Sequence, residues 1–544
     1  MEGQETTAAV PGTGGTAAPI APKQFARNAS GLVRSASLWD AFGINATNGL
    51  FIIGIAWLLL YFPLYSGANI FLAIILGLVL CVPLTMSYLK LSVVYPRSGG
   101  DYVFNSRILH PSIGFAGNFS LMMGQFFWCA FGGVYMVAYG ITPALVTAGI
   151  QFDNQTMIDV GTWFQEGKLQ TFLAGALLVA IFGVLFVIAG SRAYYRFMKV
   201  AILLGGAALV VMVIYSFVAS RASALANLDQ LFAGMGATSS ASSLVPGETP
   251  PFSMHQTFLM IWWVTGYMLS TFYSAYIGGE VKEPGRNQVL SGLTALAWLA
   301  GWTALLVVAM FRLLGSAFFV NLGAAFETST FGPGLTPTYA TLAVGAMGNG
   351  YVTILLMFCF TVLLVTVVGS NMLVATRCIF AWGMDRIAPD WFSRVSARSH
   401  TPTVAVWIVV IFAAIAGFLY TFGYVTALGS SWCFIIPYFL VSVSAILLPY
   451  RQRGVWEASP NANRFLGVPT ITCWGILCFL SLAIFSYILI ADPNYGVSPS
   501  SNLLIFLAAP IFAIVAFVYY WIARAVRSRG GINTDLAFTQ IPPE

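Results

Sequence analysis

The sequence predicts an all-α membrane protein of about twelve transmembrane helices. Composition, the length of the apolar runs and the placement of basic residues between them carry that prediction. Of 544 residues, 58% are hydrophobic and only 8% charged, whereas soluble domains run near a quarter charged. A water-facing surface cannot be assembled from so few charges, so the bilayer sets the structural unit. Twelve apolar runs are each able to cross a hydrocarbon core about 30 Å thick as a helix of roughly 20 residues. They lie at about 39–65, 69–94, 114–148, 170–190, 198–220, 256–280, 287–316, 348–382, 403–423, 425–449, 470–490 and 502–523, numbered here as spans 1 to 12.

An even number of spans puts both termini on one side. With the amino-terminal tail in the cytoplasm, 21 of the 24 Lys and Arg fall inside and only Lys168, Arg221 and Arg312 outside. That is the asymmetry of the positive-inside rule. One missed span would invert every later loop, so the split argues for the count and the orientation together. A multi-pass protein of the plasma membrane with both termini cytoplasmic is expected. Residues 1–36 are rich in Ala, Gly, Thr and Pro, without the apolar core of a signal peptide, and read as a disordered cytoplasmic tail. Residues 524–544 form a second tail. The net charge of +6 does not indicate nucleic acid, because the basic residues are scattered through short loops. The seven cysteines lie in or beside apolar runs without metal spacing, so neither a metal site nor a disulfide framework is expected. The outer loops 149–169, 221–255 and 317–347 are long and neutral; the last is either a mobile loop or a partial cover for an outer vestibule.

None of the 18 acidic residues falls at the middle of a span, and His110, His255 and His400 lie at span edges or in loops. A carboxylate relay across the bilayer centre is therefore not evident, and no constellation suited to an intramembrane enzyme survives the placement. The protein is expected not to be an enzyme.

Span 1 contains a polar interruption, Gly43-Ile44-Asn45-Ala46-Thr47-Asn48-Gly49. Gly and Asn are weak helix formers, so a break there is inexpensive. Span 6 has a softer equivalent in Thr265-Gly266-Tyr267-Met268-Leu269-Ser270-Thr271. Interrupted spans in the first and sixth positions point to an inverted repeat of five helices with its binding site at the breaks. A break exposes NH groups on one side and carbonyls on the other, each end worth about half a charge. The competing reading is close helix packing, which also uses Gly and Asn.

Three predicted cytoplasmic segments extend the argument. Tyr95-Pro96-Arg97-Ser98-Gly99-Gly100-Asp101-Tyr102 follows span 2, Gly279-Glu280-Val281-Lys282-Glu283-Pro284 follows span 6, and Arg377, Asp385-Arg386-Ile387-Ala388-Pro389 and Thr401-Pro402 mark the connection between spans 8 and 9. Ser-Gly-Gly is turn chemistry, and Glu280 with Lys282 or Arg286 is placed to close an inner ion-pair network. Arg97, Gly99, Gly100, Glu280, Lys282, Arg377 and Asp385 are thus assigned to an inner gate or its scaffold. In order and position these segments resemble hallmarks of the amino acid, polyamine and organocation transporter superfamily, amino acid permease type.

The resemblance implies a leucine-transporter-like fold of five plus five helices with two additional C-terminal helices. It divides the chain into repeats at 37–220 and 221–449, followed by spans 11 and 12 at 450–523. It implies a secondary transporter working by alternating access, with spans 1, 3, 6, 8 and 10 around the substrate. Carried onto this sequence, the backbone at Asn45, Ala46, Thr47, Asn48 and Gly49 would hold a carboxylate, and the break from Thr265 through Gly266, Tyr267, Met268 and Ser270 an amine. Gln125 in span 3 and Asn371 in span 8 are further pocket candidates.

Two departures from the family pattern bear on the mechanism. Span 1 lacks the usual Gly-Ser-Gly and has Asn48-Gly49-Leu50 nearby. Gly205 stands where proton-coupled members carry a lysine, and Lys199 sits more than a turn too early. Thr366 and Ser370 offer oxygens to a sodium ion instead, or bond their own backbone. No cofactor is expected beyond Na+ or H+ as coupling ion. A cationic substrate would need an opposing carboxylate, and none is visible in the pocket, so neutral amino acids are expected, with tolerance for aromatic ones. A transporter of polyamines or other organic cations, and a non-transporting sensor or scaffold, stay open as alternatives.

Overall fold

A computed structural model describes residues 32, 34–55, 61–245, 247, 250–327 and 335–539. The disordered tail expected over 1–36 falls, apart from its last few residues, outside the described residues, as do the last five residues of the chain.

Helix follows helix along the chain. The first part comprises α1 (Leu38–Ile55), α2 (Ile70–Val94), the short α3 (Asp101–Ile108), α4 (Pro111–Gln151), α5 (Gln155–Glu166), α6 (Lys168–Val218) and α7 (Arg221–Gly234). Next come α8 (Met254–Leu259), α9 (Ile261–Thr265), α10 (Pro284–Leu313), α11 (Ser316–Glu327), α12 (Tyr339–Met347) and α13 (Gly350–Met384). The last are α14 (Thr403–Thr421), α15 (Gly429–Arg451), α16 (Arg453–Glu457), α17 (Thr470–Ala491), α18 (Leu503–Arg529) and α19 (Leu536–Thr539). The strands Arg464–Phe465 and Val468–Pro469 pair antiparallel. Their hairpin turns at Leu466 and Gly467, both with positive φ. Among the described residues nine helices are long and apolar enough to cross a membrane.

Local chemistry starts several of these helices. The side chains of Asn69, Asn349 and Asn502 each accept from the backbone N–H three residues on, at 3.0–3.1 Å. They satisfy donors that a helix start otherwise leaves orphaned. α4 is the central column, packed against α6, α13, α14, α15 and α18. Around it the outward faces stay apolar: Leu203, Val218 and Leu504 are 72%, 79% and 74% exposed. Apolar surface on that scale is costly in water and expected against lipid.

α6 has 51 residues, which as one straight helix would reach about 77 Å, more than twice the bilayer core. It turns at Gly190, with φ 74° and ψ −177°, a conformation essentially restricted to glycine. A Cβ there would also lie 2.2 Å from the Ser399 carbonyl oxygen. Gly190→Ala is expected to lose at least about 1–3 kcal/mol, read as a lower unfolding midpoint in detergent; an unchanged midpoint would show that the corner is not needed.

Two expectations meet different outcomes. α1 is continuous α-helix through Gly43–Gly49, so the break expected in span 1 is absent from the described residues. The reason is lateral satisfaction: the Asn45 and Asn48 side chains bond to neighbouring helices rather than competing for their own backbone. The interruption of span 6 is present. α-Helix stops at Thr265, and 3₁₀ turns follow at Gly266–Ser270 and Tyr273–Tyr276. The stretch 317–347, expected to lie outside, carries α11 and α12, which flank its undescribed part.

Candidate functional site

The interrupted segment Met254–Tyr276 passes through the middle of the bundle, against α1, α2 and α10. Where α-helix tightens to 3₁₀ the regular hydrogen-bond ladder is disturbed, and such stretches mark hinges and sites. A cavity of about 40 Å³ opens there, lined by Asn48, Trp128, Gly266, Tyr267, Ser270 and Tyr273, with Phe434 and Tyr438 closing one side. It has room for only a few water molecules. Admitting an amino acid therefore requires these walls to part. Among the described residues no charged side chain lines it.

Of the residues expected at the site, Asn48, Gly266, Tyr267 and Ser270 line this cavity. The Tyr267 hydroxyl pairs with Thr303 on α10, and the Ser270 hydroxyl donates to the Tyr267 carbonyl at 2.9 Å. Met268 is fully buried but does not line the cavity. Thr265 donates to Ile261 within its own helix and packs against Gly77. Gln125 is buried behind the cavity wall, donating at 3.0 Å to the hydroxyl of Tyr273.

Asn45, Ala46, Thr47 and Gly49 lie within unbroken α1, which removes the carboxylate cradle expected of their backbone. Asn45 instead ties α1 to the interrupted segment. Its Nδ2 donates to the hydroxyls of Ser274 and Ser291, both at 3.1 Å, and its Oδ1 accepts from the Ser274 backbone N–H at 2.7 Å. Gln288 joins the network by accepting from the Ser274 hydroxyl at 2.6 Å and donating to the Ser274 carbonyl at 3.0 Å. Ser274, Gln288 and Ser291 stand outside the polar runs that flag span 1 and span 6; the only signal for them is that a buried Asn in a helix must find partners.

Asn48 and Asn371 face each other. Asn371 Nδ2 donates to Asn48 Oδ1 at 3.1 Å, and Asn48 Nδ2 donates back at 3.3 Å. The Ser370 hydroxyl donates to the same Asn48 oxygen at 2.9 Å, and Thr366 donates to Leu363 at 2.7 Å. The Tyr194 hydroxyl donates to the Thr366 carbonyl at 2.8 Å. Its ring rests on Gly369, where a Cβ would come within 2.1 Å. A phenol thus sits beside the oxygens expected to hold a cation. Gly205 packs on Leu363, and Lys199 pairs with Asp40 at 2.8 Å.

At one end of the bundle the inner-gate residues come together, though not all as expected. Arg377 Nε donates to Glu280 Oε1 at 2.7 Å, with side chains 0% and 2% exposed. Ser191, just past the Gly190 corner, donates to the other Glu280 oxygen at 3.2 Å. Lys282 and Arg286 are exposed; the partner of Glu280 is Arg377, from a helix 97 positions away. Asp385 accepts from Arg107 at 2.7 Å and from the Tyr102 hydroxyl at 2.8 Å. Gly99 and Gly100 have φ of 113° and 53°. The Gly99 N–H donates to the Tyr276 carbonyl at 2.9 Å, and a Cβ on Gly100 would press into the Tyr276 ring at 2.5 Å. Arg97 is half-buried beside Gly278.

At the other end an aromatic lid covers the segment. Tyr61 stacks on Trp263 with centroids 4.1 Å apart. Trp263 Nε1 donates to the Tyr65 hydroxyl at 2.7 Å, which donates to Asp492 at 2.6 Å. Beyond the lid lies a larger cavity of about 560 Å³, bordered by Lys168, Trp263, Tyr420 and Asn494.

Residues 37–509 match the family model described as amino acid permease. The chain is also 28% identical over 132 residues to uncharacterized protein 399 of Sulfolobus islandicus rod-shaped virus 1, a match covering 24% of this chain and 31% of that protein.

Proposed function

The chain belongs to the amino acid permease family, and from that premise we propose that it is a secondary active transporter of neutral amino acids working by alternating access. The carrying observation is the uncharged cavity at the interrupted segment, between Asn48 and residues 266–273. A zwitterion can be held there by oriented backbone groups and amides, whereas a lone cation would need a carboxylate to offset its burial. The aromatic lid at the Asp492 end and the Glu280–Arg377 pair at the other are the two gates in this reading.

Twelve crossings follow if α1, the interrupted segment and the second limb of α6 join the nine long apolar helices. In this reading spans 1–5 and 6–10 are the two repeats; the distribution of Lys and Arg favours a cytoplasmic side for Arg377 and both termini, and the plasma membrane is the membrane we propose. Of the two coupling ions, we favour the proton over sodium. The carbonyl of Thr366 and the hydroxyl of Ser370 already bond Tyr194 and Asn48, so a sodium ion there would compete with an existing network.

Counterflow into proteoliposomes tests the reading. Labelled leucine, alanine and phenylalanine are expected to exchange, and lysine and putrescine to compete poorly. Lysine or putrescine outcompeting them would overturn the substrate class; binding without flux would make the protein a sensor.

A further inference from the structure

Asp101 is the first residue of α3 and is fully buried. Its Oδ1 accepts from Asn118 Nδ2 at 3.0 Å, while its Oδ2 makes no close hydrogen bond among the described residues and has only the Tyr276 hydroxyl and the helix-start N–H groups as looser neighbours. Asn118 is held in that orientation, because its carbonyl accepts from Trp382 Nε1 at 2.8 Å and its amide also reaches the Cys378 sulfur at 3.3 Å. The other titratable groups facing the carboxyl are Tyr88 from α2, Tyr276 from the interrupted segment, Cys378 from α13 and Tyr438 from α15. None is a cation. Arg107, on the same short helix, is paired with Asp385, and Arg377, next to Cys378, with Glu280. Among the described residues a carboxylate in that setting has no neutralising partner for its charge, and such groups hold a proton instead.

The carboxyl also lies near both parts of the proposed machinery. Tyr438 is close enough to feel its charge and lines the substrate cavity. Its own loop is bonded to the interrupted segment through Gly99 and Tyr276, and through the bridge of Ser98 with Ile277, just before Glu280.

We propose that Asp101 binds the co-transported proton, holding it while the Arg377 end is closed and releasing it to water when that end opens. The inference rests on the transport reading above. Burial is the main cause that raises this carboxyl from its ordinary 3.8 to about 7, against the Tyr276 hydroxyl, the Asn118 amide and the backbone N–H groups of the helix start. Between those two values the closed form keeps its proton and an opened, wetted form does not. Raising the pH through that window therefore shifts the population toward the open form, and no further shift is expected above about 7.

The test uses full-length protein in proteoliposomes. Infrared difference spectra taken from about pH 5 to about pH 9 should contain a carboxylic-acid band that titrates near neutrality and is missing in Asp101→Asn. An imposed pH gradient should drive leucine accumulation by about tenfold per unit for one proton per substrate. Asp101→Asn should keep counterflow but only equilibrate. The proposal is overturned by the absence of such a band in the wild-type protein, by Asp101→Asn accumulating leucine like wild type, or by accumulation that follows a sodium gradient alone. If no substrate moves at all, the transport reading fails, and the infrared band still decides whether Asp101 carries a proton.

Discussion

Arg377→Ala is expected to abolish counterflow and to lower the unfolding free energy by about 3–5 kcal/mol, the cost of leaving one member of a buried ion pair uncompensated. Glu280 is the residue left unpaired by the substitution. It is 2% accessible and accepts from Arg377, with Ser191 and Tyr195 as weaker partners at 3.2 and 3.5 Å. Two neutral hydroxyls cannot balance a carboxylate in that environment. The pair also joins the chain just after the interrupted segment to α13, a contact that would have to open in the transport cycle proposed above. Arg377→Lys retains the charge but not the planar donor, so it should recover much of the stability and little of the flux. Counterflow together with unfolding in mixed detergent micelles measures both effects. Wild-type flux in Arg377→Ala would show that the pair is scaffold only.

The second large effect is expected at Asn45. Truncation to alanine removes the acceptor of the Ser274 N–H and the donor to two buried hydroxyls. An unsatisfied buried donor costs about 1–3 kcal/mol, and maximal flux should fall about tenfold or more because α1 no longer moves with the interrupted segment. The half-saturation concentration should change much less, since Asn45 does not line the cavity. A double-mutant cycle with Ser274→Ala should return a coupling of about 0.5–3 kcal/mol. Additive losses would mean that the two residues act separately.

Much of the architecture was legible from patterns short in sequence. Apolar runs locate the long helices, and Gly266 with Thr265, Ser270 and Thr271, weak helix formers in an apolar span, mark the observed change from α to 3₁₀. Ser98-Gly99-Gly100 is a turn in fact as in expectation, with both glycines at positive φ. Partner choice was not legible. Glu280 has Lys282 and Arg286 nearby in sequence, yet the approach of α13 gives it Arg377. The polar run in span 1 misled for a related reason: Asn and Thr lower helix propensity only while their side chains compete for local backbone, and here neighbouring helices occupy the two Asn amides. Asp101 opens a short helix, where an acidic residue is commonplace, and its sequence neighbours give no hint that four other helices bury it.

One contact near the start of the chain has a practical use. Ala36 donates to the Glu280 carbonyl at 2.9 Å and accepts from the Lys282 N–H at 2.9 Å, a single rung of parallel strand laid on the gate segment. That rung must come apart whenever residues 280–282 swing outward. The exchange of the Ala36 and Lys282 amide protons with deuterated solvent would then follow that opening. Adding substrate or changing the pH should alter that rate, giving the protein a built-in clock that needs neither a label nor a flux assay.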